Sequence, residues 1–335
     1  MRPLVHPALA RVWRDSSTVQ IGLDPTRAVV LSGLGPAEVA VLRRMDGVRD
    51  VLALGAAAER EGGSTSTADR MVEILKSAGV LVDGDWIRPD DPDDALAPDR
   101  ANLRLLGREG DSPDADPLAA RRQALVEVRG AGRIGAVIAR LLAAAGVGQV
   151  SADDGGQATA HDVAPGGLTR HDIGRPRGPA VSVDLPDWTD RQIEGPDLVV
   201  LAPPAHTARD EAAGLLRLGI PHLIARVVET TGVVGPLVLP GTTSCLRCHD
   251  LHRTDRDPAW PRVLVQADAP LPGVAACDVT LAALVAALAA QQVLAHLDGF
   301  VPATVDGTVE TSLPFGLPRR RSWRPHPACG CTWAA

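Results

Sequence analysis

The chain of 335 residues has no tyrosine, only two phenylalanines and one lysine, Lys76, among 34 basic residues, the other 33 being arginine. This bias reflects codon usage in a GC-rich genome and carries no chemistry. The other absences narrow the function. A basic excess is missing: 41 acidic residues give a net charge of -7, which argues against a nucleic-acid binder. Met1-Arg2-Pro3-Leu4 leads into no apolar core, so no secretion signal is expected. No run reaches the roughly 20 apolar residues of a membrane span. The nearest, Val279 to Ala295, is uncharged but holds Gln291 and Gln292, and reads as a buried helix. The five cysteines make two close pairs and one single residue, which suits a reducing cytoplasm and a metal better than disulfides. No internal repeat is evident. With 45% hydrophobic residues the chain is long enough for two domains, each with its own core.

Residues 1–87 read as a small separate domain. Thr18 to Gly22 and Ala28 to Leu31 are short strands joined by the turn formers Leu23-Asp24-Pro25-Thr26. Helices are predicted over Pro36 to Met45, over Val48 to Glu61 and from Ser66. The last opens on a capping box, Ser66 to Asp69, and carries Met71, Ile74, Leu75 and Ala78 on one face up to Gly79. Val80 to Val82 and Trp86-Ile87 flank Asp83-Gly84-Asp85 as a hairpin. Strands, three helices and a hairpin make a winged helix. DNA is excluded as its partner by charge, because residues 1–90 carry 11 basic and 12 acidic side chains, a net of -1. An exposed strand edge can instead hold an extended peptide; a dimerisation or packing role is the alternative. Residues 88–116, with Asp90-Asp91-Pro92-Asp93-Asp94, have the composition of an acidic, proline-rich linker, in which Asn102 to Leu106 reads as a short extended segment.

Residues 117–335 form the second domain, predicted as α/β with a doubly wound, mostly parallel sheet. It is organised around Leu125 to Asp154. An apolar strand ends at Gly130, Gly132 lets backbone approach a phosphate, and Gly135 allows close packing of the helix that runs to Ala145 and is capped by Gly146. Asp154 lies 22 residues beyond Gly132, the usual spacing for an acid that grips a ribose. A βαβ unit that keeps the turn for packing alone has the same pattern. Ala180 to Val183 and Asp197 to Ala202 read as buried strands, the second ending at Pro203-Pro204, where such a sheet presents its ligand crevice. A helix over Thr207 to Leu218 and a strand over Pro221 to Val228 follow.

Cys245-Leu-Arg-Cys248 and Cys329-Gly-Cys331 are separated by 80 residues, each pair close enough to bind one ion from a single turn. Four thiolates make a closed, structural zinc site; disulfides or free thiols are the alternative. His249, His252 and His326 are nearby and read as surface or supporting residues. Cys277 precedes the long helix from Val279 and reads as a small buried residue rather than a reactive thiol.

Gly130-Ala-Gly-Arg-Ile-Gly135, Ala145-Gly-Val-Gly148, Asp172 to Arg177, Cys245 to Cys248 and His326 to Cys331 together resemble the ThiF/MoeB family, the ubiquitin-activating-enzyme-like adenylyltransferases. The two-domain order is most similar to actinobacterial members grouped with azoline-forming cyclodehydratases. In these, the N-terminal domain resembles a recognition element for the leader of a ribosomal peptide, and a YcaO-type partner performs the ATP chemistry. The resemblance implies homodimers, ATP with magnesium in the active members, and nucleotide contacts at Gly130, Gly132, Gly135, Asp154 and Arg177. The departures concern chemistry. The second acid of the family's Asp-x-Asp is Gly156, the arginine-bearing segment reads Asp162-Val-Ala-Pro-Gly166, the lysine is Arg177, and the magnesium-binding aspartate falls near Pro203-Pro204. Asp153, Arg170 and Arg175 are the remaining candidates to replace lost groups. The expectation is a non-catalytic partner protein that binds a leader peptide and presents it to a modifying enzyme; the alternative is an adenylyltransferase acting on a C-terminal carboxylate. A nicotinamide-dependent oxidoreductase uses the same glycines, but the cysteine pairs count against it.

Overall fold

The computed structural model describes residues 1–84, 94–107, 116–182, 195–203, 208–267 and 275–332. The chain divides into two compact units, 1–117 and 118–335.

In the first unit, β1 (Pro3–Val5) pairs antiparallel with β5 (Leu81–Asp83), while β2 (Arg11–Trp13), β3 (Val19–Ile21) and β4 (Val29–Leu31) form a sheet with β3 in the middle. The turn before β4 forms as its sequence demands, with the Asp24 carboxylate accepting from the Thr26 amide. Three helices follow: α1 (Pro36–Arg44), α2 (Val51–Arg60) and α3 (Ser66–Ser77). α1 tolerates Pro36 in its first turn, and Asp50 caps α2 by accepting from Ala53 N at 2.8 Å. Ile21, Leu42, Met45, Leu54, Met71 and Leu75 fill the core.

Three expectations for this unit are corrected, and a fourth, the hairpin, lies partly outside the described residues. The capping box at Ser66 does not form: Ser66 is already helical, and Thr65 before it makes no side-chain cap. The buried stripe of α3 is Ala68, Met71, Val72 and Leu75, and Ile74 is 40% exposed, because the sheet and α2 meet the helix about one residue round from the predicted face. The strand partner of Leu81–Asp83 is β1; Trp86 and Ile87, the other arm of the expected hairpin, lie outside the described residues. Asn102 to Leu106 is not extended but the second half of α4 (Ala97–Leu106). Pro98 stands in its first helical turn, where a proline costs no hydrogen bond.

The second unit opens with α5 (Ala119–Gln123) and β6 (Leu125–Arg129), followed by α6 (Gly135–Ala144) and β7 (Gln149–Asp153). α7 (Arg177–Val181) stands where Ala180 to Val183 was expected to be a strand. Short apolar runs do not distinguish helix from strand, and here Val181 docks against Ala131, Ala136, Ala158 and Leu168. Val183 itself lies outside the described residues. Next come β8 (Leu198–Leu201), α8 (Ala208–Arg217), β9 (His222–Val228), β10 (Thr231–Val238), α9 (Leu246–Arg256), α10 (Trp260–Ala267), α11 (Val279–Leu297), β11 (Gly307–Ser312) and β12 (Arg319–Ser322).

The seven strands lie in the order β12-β11-β10-β9-β8-β6-β7. β7, β6, β8 and β9 are parallel; β9 to β12 continue as an antiparallel meander. β6 has β7 on one side and β8 on the other, so the strand order reverses there and the crevice opens at its C-terminal end. α6 and α11 cover one face with Ile138, Leu142, Val285 and Val293, and α8 and α9 cover the other over β8 and β9.

α11 is the one helix among the described residues long and apolar enough to cross a membrane, but it packs in the core. Gln292, which interrupts its apolar run, is 7% exposed and accepts from Thr304 N at 3.1 Å. A bidentate ion pair secures its far end: Arg121 donates to Asp298 at 2.8 and 2.7 Å, with both side chains buried.

Candidate functional site

The glycine turn stands where expected. Gly130 has φ +92°, and a Cβ there would lie 2.3 Å from the carbonyl oxygen of Ala202; at Gly135 it would lie 1.8 Å from the Gly130 carbonyl oxygen. No side chain fits at either position, so the loop after β6 sits flat against the segment after β8 and brings α6 close to the sheet. α6 ends in a Schellman motif on Gly146, with Val147 N donating to Leu142 O.

Asp154 follows β7 directly, but it is already engaged. One carboxylate oxygen accepts from Ala131 N at 2.8 Å, the other from Gly156 N at 2.8 Å and from Arg177 at 3.0 Å. Burial opposes its charge, yet the Arg177 hydrogen bond and the two amides outweigh burial and hold the carboxyl below its ordinary value. Arg177 also donates to both oxygens of Asp162, at 3.2 and 3.3 Å. Burial disfavours its charge too, and the two aspartates more than restore it.

The consequence for a nucleotide is direct. A Cβ on Gly132, the residue meant to face phosphate, would lie 3.3 Å from Asp162 Oδ1, so a carboxylate stands over the approach. A Cβ on Gly156, where the family carries its second acid, would lie 2.3 Å from Arg177 Nη2. The guanidinium has taken the space of the missing acid. The cation counted on for phosphate is thereby spent on two carboxylates of its own chain. β8 leads into Ala202-Pro203, and Pro204 lies outside the described residues. Asp153, Arg170 and Arg175 are exposed and do not join this network. Asp162 was the member sequence reasoning missed. Its only local signal, Thr159 three residues earlier, explains a turn in which Thr159 N donates to Asp162 Oδ2, and says nothing of Gly132.

The four cysteines converge as expected. Cys245 precedes α9 as its N-cap, Cys248 is in its first turn, and Cys329 and Cys331 arrive from the C-terminal segment. The Sγ–Sγ separations are 3.9 Å for 245–248, 3.6 Å for 245–329 and 3.4 Å for 248–331. A tetrahedron with metal–sulfur bonds of about 2.3 Å has edges of about 3.8 Å, whereas a disulfide needs about 2.0 Å. The cluster therefore fits a four-thiolate metal centre, and all four sulfurs could hold an ion together.

Its electrostatics agree. Burial, then the neighbouring thiols, push Cys331 up to about 12, and the hydrogen bond from Cys245 lowers Cys248 while raising Cys245. Four sulfurs so close resist common ionisation until a divalent cation joins them. The backbone amide of His326 donates to Cys248 Sγ at 3.3 Å, so His326 supports the cluster through its main chain. An adjoining cavity of about 450 Å³ is lined by Arg209, Arg217 and Arg247 together with Asp210 and Asp250, and Arg209 is paired with Asp250 at 2.9 Å. His249 is not at the surface: it is 2% exposed and stacked on Trp323 at 4.5 Å, and burial pushes its pKa down to about 3. Cys277 is half-buried beside α11, and burial raises its thiol, as a structural residue requires.

A model of the ThiF family matches residues 101–331. Among solved structures, Escherichia coli MccB with succinimide is similar, with a TM-score of 0.73 at 16% identity over 100% of both chains. Escherichia coli MccB with AMPCPP and MccA gives 0.73 at 15% identity over 99% of each chain. The heterocyclase TruD gives 0.64 at 16% identity, covering 99% of this chain and 42% of TruD. At these identities the likeness is one of fold. Comparison with curated protein sequences gives no match.

Proposed function

Because the chain belongs to the ThiF family, we propose that it is a non-catalytic partner protein in ribosomal peptide maturation. In this reading the N-terminal unit, a winged-helix recognition domain, captures a precursor leader by strand addition. The α/β unit, stapled by zinc at Cys245, Cys248, Cys329 and Cys331, presents the peptide to a modifying enzyme of the YcaO type. The protein works in the cytoplasm as a homodimer. The observation that carries the non-catalytic half is the Asp154–Arg177–Asp162 network, which consumes the ribose-type acid and the phosphate-type cation within the chain itself. The peptide half is supported by likeness over the whole length to MccB, which has been solved with MccA, and to the heterocyclase TruD.

Adenylation of a peptide carboxylate is the second reading, favoured by the intact glycine turn, by Asp154 directly after β7, and by the MccB structure solved with ATP. Titration calorimetry of the full chain with precursor peptides encoded beside its gene, run with ATP/pyrophosphate exchange, separates the two. Leader binding without exchange is the expected result. Carboxylate-dependent exchange that Asp154→Ala abolishes would establish adenylation instead, and failure of every neighbouring peptide to bind would end the leader-binding reading.

A further inference from the structure

β12 is the outer strand of the seven-stranded sheet, and among the described residues it pairs only with β11, so one of its edges offers unpaired backbone groups. All four of its residues are exposed. The chain as a whole is acidic, yet residues 319–324 hold Arg319, Arg320, Arg321 and Arg324 and no acid. Their present partners do not balance them. Arg320 is used structurally, donating to the carbonyls of Ala303 and Val305. Arg319 and Arg321 share a single carboxylate, Glu310, at 3.5 and 3.4 Å. Arg324 is exposed, and its side chain meets no acid among the described residues. Arg256 stands nearby over the Trp323 ring at 5.7 Å, adding to the same positive field. The turn into β12 exposes two large apolar side chains, Phe315 at 85% and Leu317 at 79%.

We propose that this edge docks an extended, acidic peptide segment of a partner protein, which adds a strand beside β12, sets carboxylates against Arg319 and Arg321, and brings its end to Arg324 just beyond the strand. Strand addition supplies main-chain hydrogen bonds, while the arginines select the charge of the incoming strand. Arginines at an open edge repel basic strands and must be desolvated by apolar ones, which protects the edge from promiscuous pairing. The same repulsion disfavours a second copy, because two β12 edges would oppose arginine to arginine. Phe315 and Leu317 form an apolar lip at one end, where the segment would place a hydrophobic residue. This surface is independent of the leader-binding reading, since it involves no residue of the N-terminal unit.

The test is fluorescence anisotropy of the full chain with a labelled octapeptide of alternating Glu and Val. Controls are an alternating Lys-Val peptide, an alternating Glu-Pro peptide that keeps the charge but lacks half the amide donors, and an oligothymidylate. The Glu-Val peptide is expected to bind at least about tenfold more tightly than every control, weakening with salt. The double variant R319S/R324S is expected to lose about tenfold in affinity, while R319K/R324K, which keeps the charge, stays within about threefold. Arg321 still faces Glu310 in both variants, so far-ultraviolet circular dichroism is expected to be unchanged. No binding of the Glu-Val peptide, equal binding of the Glu-Pro peptide or the oligonucleotide, or indifference to R319S/R324S overturns the proposal. Self-association in sedimentation that R319S/R324S abolishes overturns it in favour of a copy–copy interface.

Discussion

Stripping the metal that the four-cysteine cluster would hold is the perturbation with the largest calculable effect. The cluster joins Cys245 to Cys329, 84 positions apart, so it closes a loop of that length in the unfolded chain. Chain entropy for a cross-link of this size gives about 4.6 kcal/mol at 25 °C. That figure treats the metal as a link that persists in the unfolded chain; where unfolding releases the metal, its binding free energy is lost instead and the effect is larger. In a domain of this size each kcal/mol moves the melting temperature by roughly 2–4 °C, so loss of the metal is expected to lower it by about 10–20 °C. Plasma mass spectrometry is expected to find one zinc per chain, and calorimetry with and without a strong chelator is expected to show this drop. Cys331→Ser is expected to reproduce it, because three thiolates leave the tetrahedron open. A chain with no stoichiometric metal, or a melting temperature unmoved by chelation but lowered by a reductant, would refute the reasoning and leave disulfides in its place.

Asp298→Ala removes the carboxylate that accepts two hydrogen bonds from the buried Arg121 and is expected to cost about 3–5 kcal/mol in urea unfolding; a cost under about 1 kcal/mol would mean the site is wet. Gly135→Ala drives a methyl into the Gly130 carbonyl and is expected to destabilise by about 1–3 kcal/mol or more, with a normal melting curve as the contrary result. The carboxyl of Asp154 is held low in the fold, so the stability it contributes is present above its unfolded pKa of about 3.9 and is lost as the pH falls through the lower folded value. Asp154→Asn is expected to flatten that acid limb and to cost about 1–3 kcal/mol at neutral pH; identical acid limbs in the two proteins would show that Arg177 does not hold the carboxylate.

Much of the α/β unit was legible because its signals are local. Leu125 to Gly135 and Asp154 announce strand, turn, helix and acid through spacing alone, and β8, α8 and β9 stand close to where apolar runs and helical periodicity put them. The elements that escaped carry no such pattern. β10 contains Gly235-Pro236, where the pairing register shifts, and so reads as a loop. β12 is Arg-Arg-Arg-Ser, with no alternation, because as an edge strand it buries none of its four residues. α4 was hidden by a proline that looks like a breaker wherever it occurs but is harmless at a helix start.

By itself the sequence determined the family, the glycine turn and the cysteine pairs, since each is written in residue type and spacing within a few positions. That Cys245 and Cys248 meet Cys329 and Cys331 was an inference from matching chemistry; their sulfur separations of 3.4 to 3.9 Å come only from the fold. The state of the nucleotide-type site was decided by tertiary structure alone. Asp154 and Arg177 carry the expected charges at the expected places, and only the folding of the 155–177 segment back over the turn shows those charges satisfying each other and Asp162. Sequence specifies which groups are present, and because the pull between charges falls with distance and grows with burial, what they are free to bind is settled by where the chain brings their neighbours.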